Sequence, residues 1–157
     1  MTKTEFMLIR SRQRLSTLTD SPTNTISDNQ VSEVTTAKSL GVTMNNKLDW
    51  SSHIKKLTKK VGSSIGAIKQ IGHLVPQATL HLIHQALIQP HFGYCNIVWG
   101  NCRITLQNKI QKLQNRAARF NYDADDGHLF ELLGWENLAS QLQIQRAIMV
   151  YKALHAV

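Results

Sequence analysis

Apolar residues along the chain follow two different spacings, and the change falls near Asp49. From Glu5 to Met44 they come in short runs, Phe6-Met7-Leu8-Ile9 and Leu40-Gly41-Val42, separated by clusters of Ser, Thr, Asn and Asp. Runs this short, bounded by turn formers, predict short strands. The polar stretch 21–30 contains Pro22 and offers Asp28-Asn29 as a hairpin tip. Beyond Asp49, Ile54, Leu57, Val61, Ile65 and Ile68 recur every three or four residues, the mark of one buried helix face, with Asp49 or Ser51 to cap its start. Pro76 stands where a first-turn proline is tolerated, ahead of Leu80, Ile83 and Leu87, and Pro90 must end or kink that second helix. A third helical stretch is expected over Phe92 to Trp99. A fourth starts at Ile104, with Leu106, Ile110, Leu113, Ala117 and Phe120 as its apolar stripe. A turn near Asp126-Gly127, a short helix through Leu129, Leu132 and Leu133 ending at Gly134, and a last helix on Leu138, Leu142, Ile148, Tyr151 and Leu154 complete the reading. The expected fold class is α+β, mostly α: short N-terminal strands with a hairpin, then a helical bundle.

Composition adds little to this until charge is considered. The 157 residues, 42% hydrophobic and 18% charged, fit an ordinary globular chain with a core of its own. Cys95 and Cys102 are too few for a disulfide framework and lack zinc-knuckle spacing, so they read as reduced thiols of an intracellular protein. The polar N-terminus has no signal-peptide region, and the most apolar stretch, Leu74 to Trp99, is too interrupted for a membrane helix, so no membrane partner is expected. The net charge is +8. No Asp or Glu occurs between Asp49 and Asp123, while residues 50–122 hold Lys55, Lys56, Lys59, Lys60, Lys69, Arg103, Lys109, Lys112, Arg116 and Arg119. That interval therefore carries +10 and the rest of the chain −2, and its natural counterpart is a polyanion.

Lys109, Lys112, Arg116 and Arg119 repeat at three, four and three, which lines four cations along one helix face away from the apolar stripe. Lys55, Lys56, Lys59 and Lys60 form a second set, and neither set has a local acid at helical spacing to neutralise it. A lone charge run is usually a solvated face. Two acid-free basic helices in one chain give phosphate-backbone contact equal standing with that reading. His81, His84, His91 and Cys95 have the residue types of a metal site, but their spacing crosses Pro90 without a nearby carboxylate, so they read as polar positions on helix surfaces and no metal ligand is expected. Trp50, Trp99 and Trp135 flank apolar stripes and read as core anchors rather than stacking platforms. No nucleophile–base arrangement or glycine-rich phosphate loop can be assembled, so no catalytic residue is assigned.

Five ordered blocks resemble one family. They are Lys3-Thr4-Glu5-Phe6-Met7; Lys38-Ser39-Leu40-Gly41-Val42; Leu48-Asp49-Trp50 with His53-Ile54; Ile88-Gln89-Pro90-His91-Phe92 through Tyr94 with Val98-Trp99-Gly100; and Leu113-Gln114-Asn115-Arg116-Ala117-Ala118-Arg119. In this order they resemble the jockey-like non-LTR (LINE-type) retrotransposon reverse transcriptases, in the part that follows the catalytic aspartate pair. The resemblance implies a palm remnant over 1–48, a basic helical thumb-like region over 49–122 and a C-terminal helical extension over 123–157. It makes Lys3 the palm-motif lysine, and Lys55, Lys56, Lys59, Lys60, Lys109, Lys112, Arg116 and Arg119 the nucleic-acid-binding set on an RNA or DNA duplex. Arg10 departs from the small residue usual in the family, and the step from Arg119 to Asp123 is shorter than usual. The family activity is RNA-directed DNA polymerisation, but the fingers and the metal-binding carboxylates would lie before Met1. Asp123-Ala124-Asp125-Asp126 imitates the family's metal-binding signature, yet it follows a basic helix instead of sitting on a strand hairpin. It therefore reads as a loop or helix cap. The expectation is a transposable-element fragment without chemistry or cofactor of its own, magnesium being needed only by the missing palm. The alternative is a helical interaction fragment with no nucleic-acid role, which associates with itself or packs on a palm domain.

Overall fold

The computed structural model describes residues 4–17, 22–26, 29–121 and 135–155. The chain divides into two compact units, Met1–His53 and Ile54–Val157. Short strands come first and helices follow, an α+β fold that is mostly α.

In the first unit β1 (Glu5–Phe6) pairs in parallel with β3 (Asn29–Glu33), which also pairs antiparallel with β2 (Asn24–Ile26). A short helix, α1 (Arg12–Ser16), is capped by the Ser11 hydroxyl, which accepts from the Arg14 amide. Of the run Phe6–Ile9 only Phe6 enters a strand. β2 and β3 pair as a hairpin that closes at Ile26 and Asn29, so the chain reverses where Asp28-Asn29 is expected to turn it, with Asn29 the first residue of β3; Asp28 lies outside the described residues. The run Leu40-Gly41-Val42 is likewise split. β4 (Thr36–Ser39) and β5 (Val42–Asn45) are joined in register at Ser39 and Val42, which leaves Leu40 and Gly41 as a two-residue loop with φ of 45° and 81°. Positive φ at both loop positions matches the twist of a tight hairpin, and glycine takes its place at no steric cost. Leu40 points to solvent.

A carboxylate closes this unit. Asp49 Oδ1 accepts from Asn45 Nδ2 (2.9 Å), from the Ser51 amide (3.0 Å) and from the Ser51 hydroxyl (2.7 Å), so the expected acidic cap of the next helix is in place. His53, in that helix's first turn, accepts the Thr43 amide on Nδ1 at 3.3 Å.

The helix itself, α2 (Ser51–Ile71), buries Ile54, Leu57, Val61, Ile65 and Ile68, all five positions of the expected stripe. In the second unit it is followed by α3 (Gln77–Leu87), α4 (Gln89–Gly93), α5 (Asn96–Trp99), α6 (Ile104–Asn121) and α7 (Leu138–His155). Pro76 caps α3 and Pro90 sits in the first turn of α4, each ending or starting a helix where its ring is tolerated. The stretch Phe92–Trp99 is not one helix: Cys95, at φ 51°, turns the chain between α4 and α5, and the Trp99 indole N–H holds the break by donating to the Tyr94 carbonyl at 2.8 Å. α3 packs on α4 and α6, and α5 on α7. Ile88, Phe92, Trp99, Ile110, Leu113, Ala117 and Ala118 make up the interior; Leu106 is half-buried.

Two glutamines of α6 dock the start of α7. Gln111 Oε1 accepts the Leu138 amide (3.1 Å), Gln111 Nε2 donates to Gln114 Oε1 (2.9 Å), and Gln114 Nε2 donates to the Glu136 carbonyl (3.1 Å). Asn137 Oδ1 then takes the Ser140 amide at 2.8 Å as the cap of α7. Leu138 is buried and Leu142 half-buried, but Ile148, Tyr151 and Leu154, expected on the same helix, are exposed. The expected turn at Asp126-Gly127 and the helix through Leu129, Leu132 and Leu133 lie outside the described residues. Among the described residues no helix is long and apolar enough to cross a membrane.

Candidate nucleic-acid interface

The same periodicity that buries one side of α2 and α6 places their cations. On α2 a turn of about 100° per residue sets Lys55, Lys56, Lys59 and Lys60 opposite the buried stripe, and all four are exposed. On α6, Lys109, Lys112, Arg116 and Arg119 are exposed, while Ile110, Leu113, Gln114, Ala117 and Ala118 are buried. At about 1.5 Å rise per residue the α6 row is roughly 15 Å long, enough to follow several consecutive phosphates, which lie about 3.4 Å apart along the axis on one strand. The α2 set is denser, four charges within roughly 8 Å of axis.

These rows strain their own helices. Lys55 and Lys59, and Lys56 and Lys60, are like-charge pairs four residues apart, with Lys56 and Lys59 three apart; α6 has Lys112 and Arg116 at four, and two further pairs at three. Each such pair costs about 0.2–0.5 kcal/mol, which a bound anion would relieve. The field of Lys60 is visible on a neighbour: the His91 imidazole on α4 has its pKa lowered by burial first and by the Lys60 charge second, so it is held neutral beside the α2 set. Each set is continuous on its own helix, and His91 borders the α2 set as a neutral group. Lys3 and the run Asp123, Asp125 and Asp126 lie outside the described residues. Lys69 and Arg103, absent from the expected binding set, are also exposed; the signal that finds them is the acid-free interval itself.

Comparison with protein-family models, with curated proteins and with solved structures finds no match.

One histidine is a correction. His84 was expected on a helix surface; it is fully buried on the line Leu80–His84–Ile88, one residue round from the expected Leu80–Ile83–Leu87, of which Leu87 is exposed. Its ring stacks on Trp135 with centroids 4.1 Å apart and planes 25° from parallel, and the His81 ring lies 6.4 Å from the same indole. Neither ring nitrogen of His84 has a hydrogen-bond partner among the described residues. Burial, with a smaller push from His81, lowers its pKa to about 4. A buried, neutral ring flat against an indole is a packing element. Of the three tryptophans, Trp99 is buried in the interior, whereas Trp50 and Trp135 are half-buried. Among the described residues no group of three or more His, Cys, Asp or Glu side chains converges as metal ligands do.

Proposed function

We propose that the helical unit is an electrostatic grip for a nucleic-acid duplex, in a fragment of a jockey-like non-LTR retrotransposon reverse transcriptase that comprises the end of the palm, the thumb and its extension, without the catalytic aspartates. The observation that carries the reading is the pair of exposed cation rows on α2 and α6, drawn from an interval with no carboxylate. Ordered sequence blocks support the family origin, and short strands followed by a basic helical unit are what a palm remnant and thumb imply. Phosphates would be held by Lys55, Lys56, Lys59, Lys60, Lys109, Lys112, Arg116 and Arg119. Such contacts position a backbone without reading sequence.

The test is fluorescence anisotropy of a labelled RNA–DNA duplex from 25 to 300 mM salt. Each phosphate contact contributes about −0.9 to the slope of log K against log salt, so eight contacts set a steepest value of about −7. Binding at low salt with a slope near −4 to −7, flattened when the eight are changed to Gln, is expected. No binding at low salt, or an unchanged slope in the eightfold variant, refutes the grip.

A further inference from the structure

A cavity of about 290 Å³ lies between α5, α6 and the start of α7. Phe92, Trp99, Ile104, Ile110, Leu138 and Leu142 make its wall apolar, and among the described residues no Lys, Arg, His, Asp or Glu lines it. Size limits what can enter. One turn of helix, about 10 Å across and 5.4 Å long, already needs roughly 400 Å³. An apolar cavity of about 150 Å³ takes benzene, so this one suits a molecule of two fused rings.

Water fits it poorly. At about 30 Å³ each, roughly ten molecules would fill the space, and each needs two or more polar partners. Most of the wall's polar groups are already engaged: Gln107 Nε2 on the Gly100 and Cys102 carbonyls, Gln111 on the Leu138 amide and on Gln114 and Asn115, and Asn137 Oδ1 on the Ser140 amide. Asn96 is the exception. It lines the cavity at 2% exposure, and neither its Oδ1 nor its Nδ2 has a hydrogen-bond partner among the described residues. A buried amide left unpaired at both atoms costs free energy that a matching group recovers. The match is a cis-amide edge, whose carbonyl accepts from Nδ2 while its N–H donates to Oδ1.

We propose that this cavity is a binding site for a neutral two-ring lactam, its rings against the apolar wall and its amide edge paired with the Asn96 carboxamide. The two amide atoms lie covered in the wall, and the last side-chain torsion of Asn is soft, so a small turn about it brings them to the ligand. A charged ligand is disfavoured, because the wall offers no opposite charge to offset its desolvation. The site is independent of the nucleic-acid reading, since none of the eight candidate cations lines it.

Calorimetric titration of the full chain with 2-quinolone, a lactam of about eleven non-hydrogen atoms, tests it; a dissociation constant on the order of 10–100 µM is expected. Coumarin has the same shape and carbonyl with a ring oxygen in place of the N–H, and should bind at least tenfold more weakly. In amide NMR spectra, 2-quinolone should shift the Trp99 indole and the Gln107 side-chain amide and leave the Trp50 indole in place. Asn96→Leu keeps the shape of the side chain and removes the unpaired amide. It should melt no lower than the parent and bind the two compounds within about twofold of each other. No binding of 2-quinolone up to about 1 mM overturns the proposal, as does coumarin binding equally well, a shift pattern that misses the cavity, or a preference that survives in Asn96→Leu. The coumarin comparison and the shift pattern are read on the unaltered chain, so they decide the matter even where the variant does not fold.

Discussion

Acid should weaken the helical unit through a single buried ring. His84 has its pKa lowered from 6.5 to about 4, chiefly by burial. Between those values the unfolded chain binds a proton that the folded chain refuses, so stability falls as pH drops through 6.5 towards 4. A difference of about 2.5 pH units at 1.36 kcal/mol each limits the loss to roughly 3 kcal/mol, of which about 2 kcal/mol has gone by pH 5. One effect opposes this: a protonated imidazole against the Trp135 face gains a cation–π attraction of about 0.5–2 kcal/mol. It falls short of the desolvation cost, so burial wins. The assay is urea unfolding at pH 7, 6 and 5, a window above most carboxylate titration, with His84→Leu beside the parent. The variant should lose about 2 kcal/mol of the pH dependence and keep a smaller residue from His91, whose pKa is also lowered. An unchanged slope in His84→Leu, or a His84 ring that titrates near 6.5 by NMR, would refute the reasoning.

Three further outcomes follow from particular contacts. A Cβ at Gly100 would run into the Asn96 carbonyl and the Leu142 side chain, so Gly100→Ala should cost about 1–3 kcal/mol in urea unfolding by prising α5 from α7. Gln114→Ala removes two hydrogen bonds and leaves a cavity, about 2–3 kcal/mol in urea unfolding, whereas Gln114→Leu refills the space and should cost clearly less in the same assay. Lys59→Glu replaces repulsion from Lys55 and Lys56 with attraction. It should stabilise the helix by about 0.5–1 kcal/mol at low salt while weakening duplex binding, and loss of both stability and binding would mean that Lys59 has a packing role instead.

The long helices were legible because their signal is local. Five apolar residues at helical spacing in α2, and Ile110, Leu113 and Ala117 in α6, announce which side is buried, and the cation rows follow from the same period. Pro76 and Pro90 punctuate for reasons of ring geometry. What escaped is set by distant partners or by unusual residues at a turn. Leu40 and Cys95 adopt positive φ without being glycine or asparagine, so nothing in their identity marks a turn. His84 looks like a surface residue until Trp135, fifty-one positions later, is found against it. The outer half of α7 has apolar residues at the right spacing for a helix, yet spacing alone does not say that the second unit stops short of covering them.

Many of the joints among the described residues of the second unit are made of neutral groups, the Arg146 guanidinium on Asn101 being a charged exception. Gln111 and Gln114 fasten α7 through amides and backbone carbonyls, Gln107 donates to the Gly100 and Cys102 carbonyls, and Trp99 to that of Tyr94. Dissolved ions have little purchase on such bonds. On the proposed reading, brine should release a polyanion and leave the unit folded, because salt screens the cation rows far more than it weakens neutral hydrogen bonds.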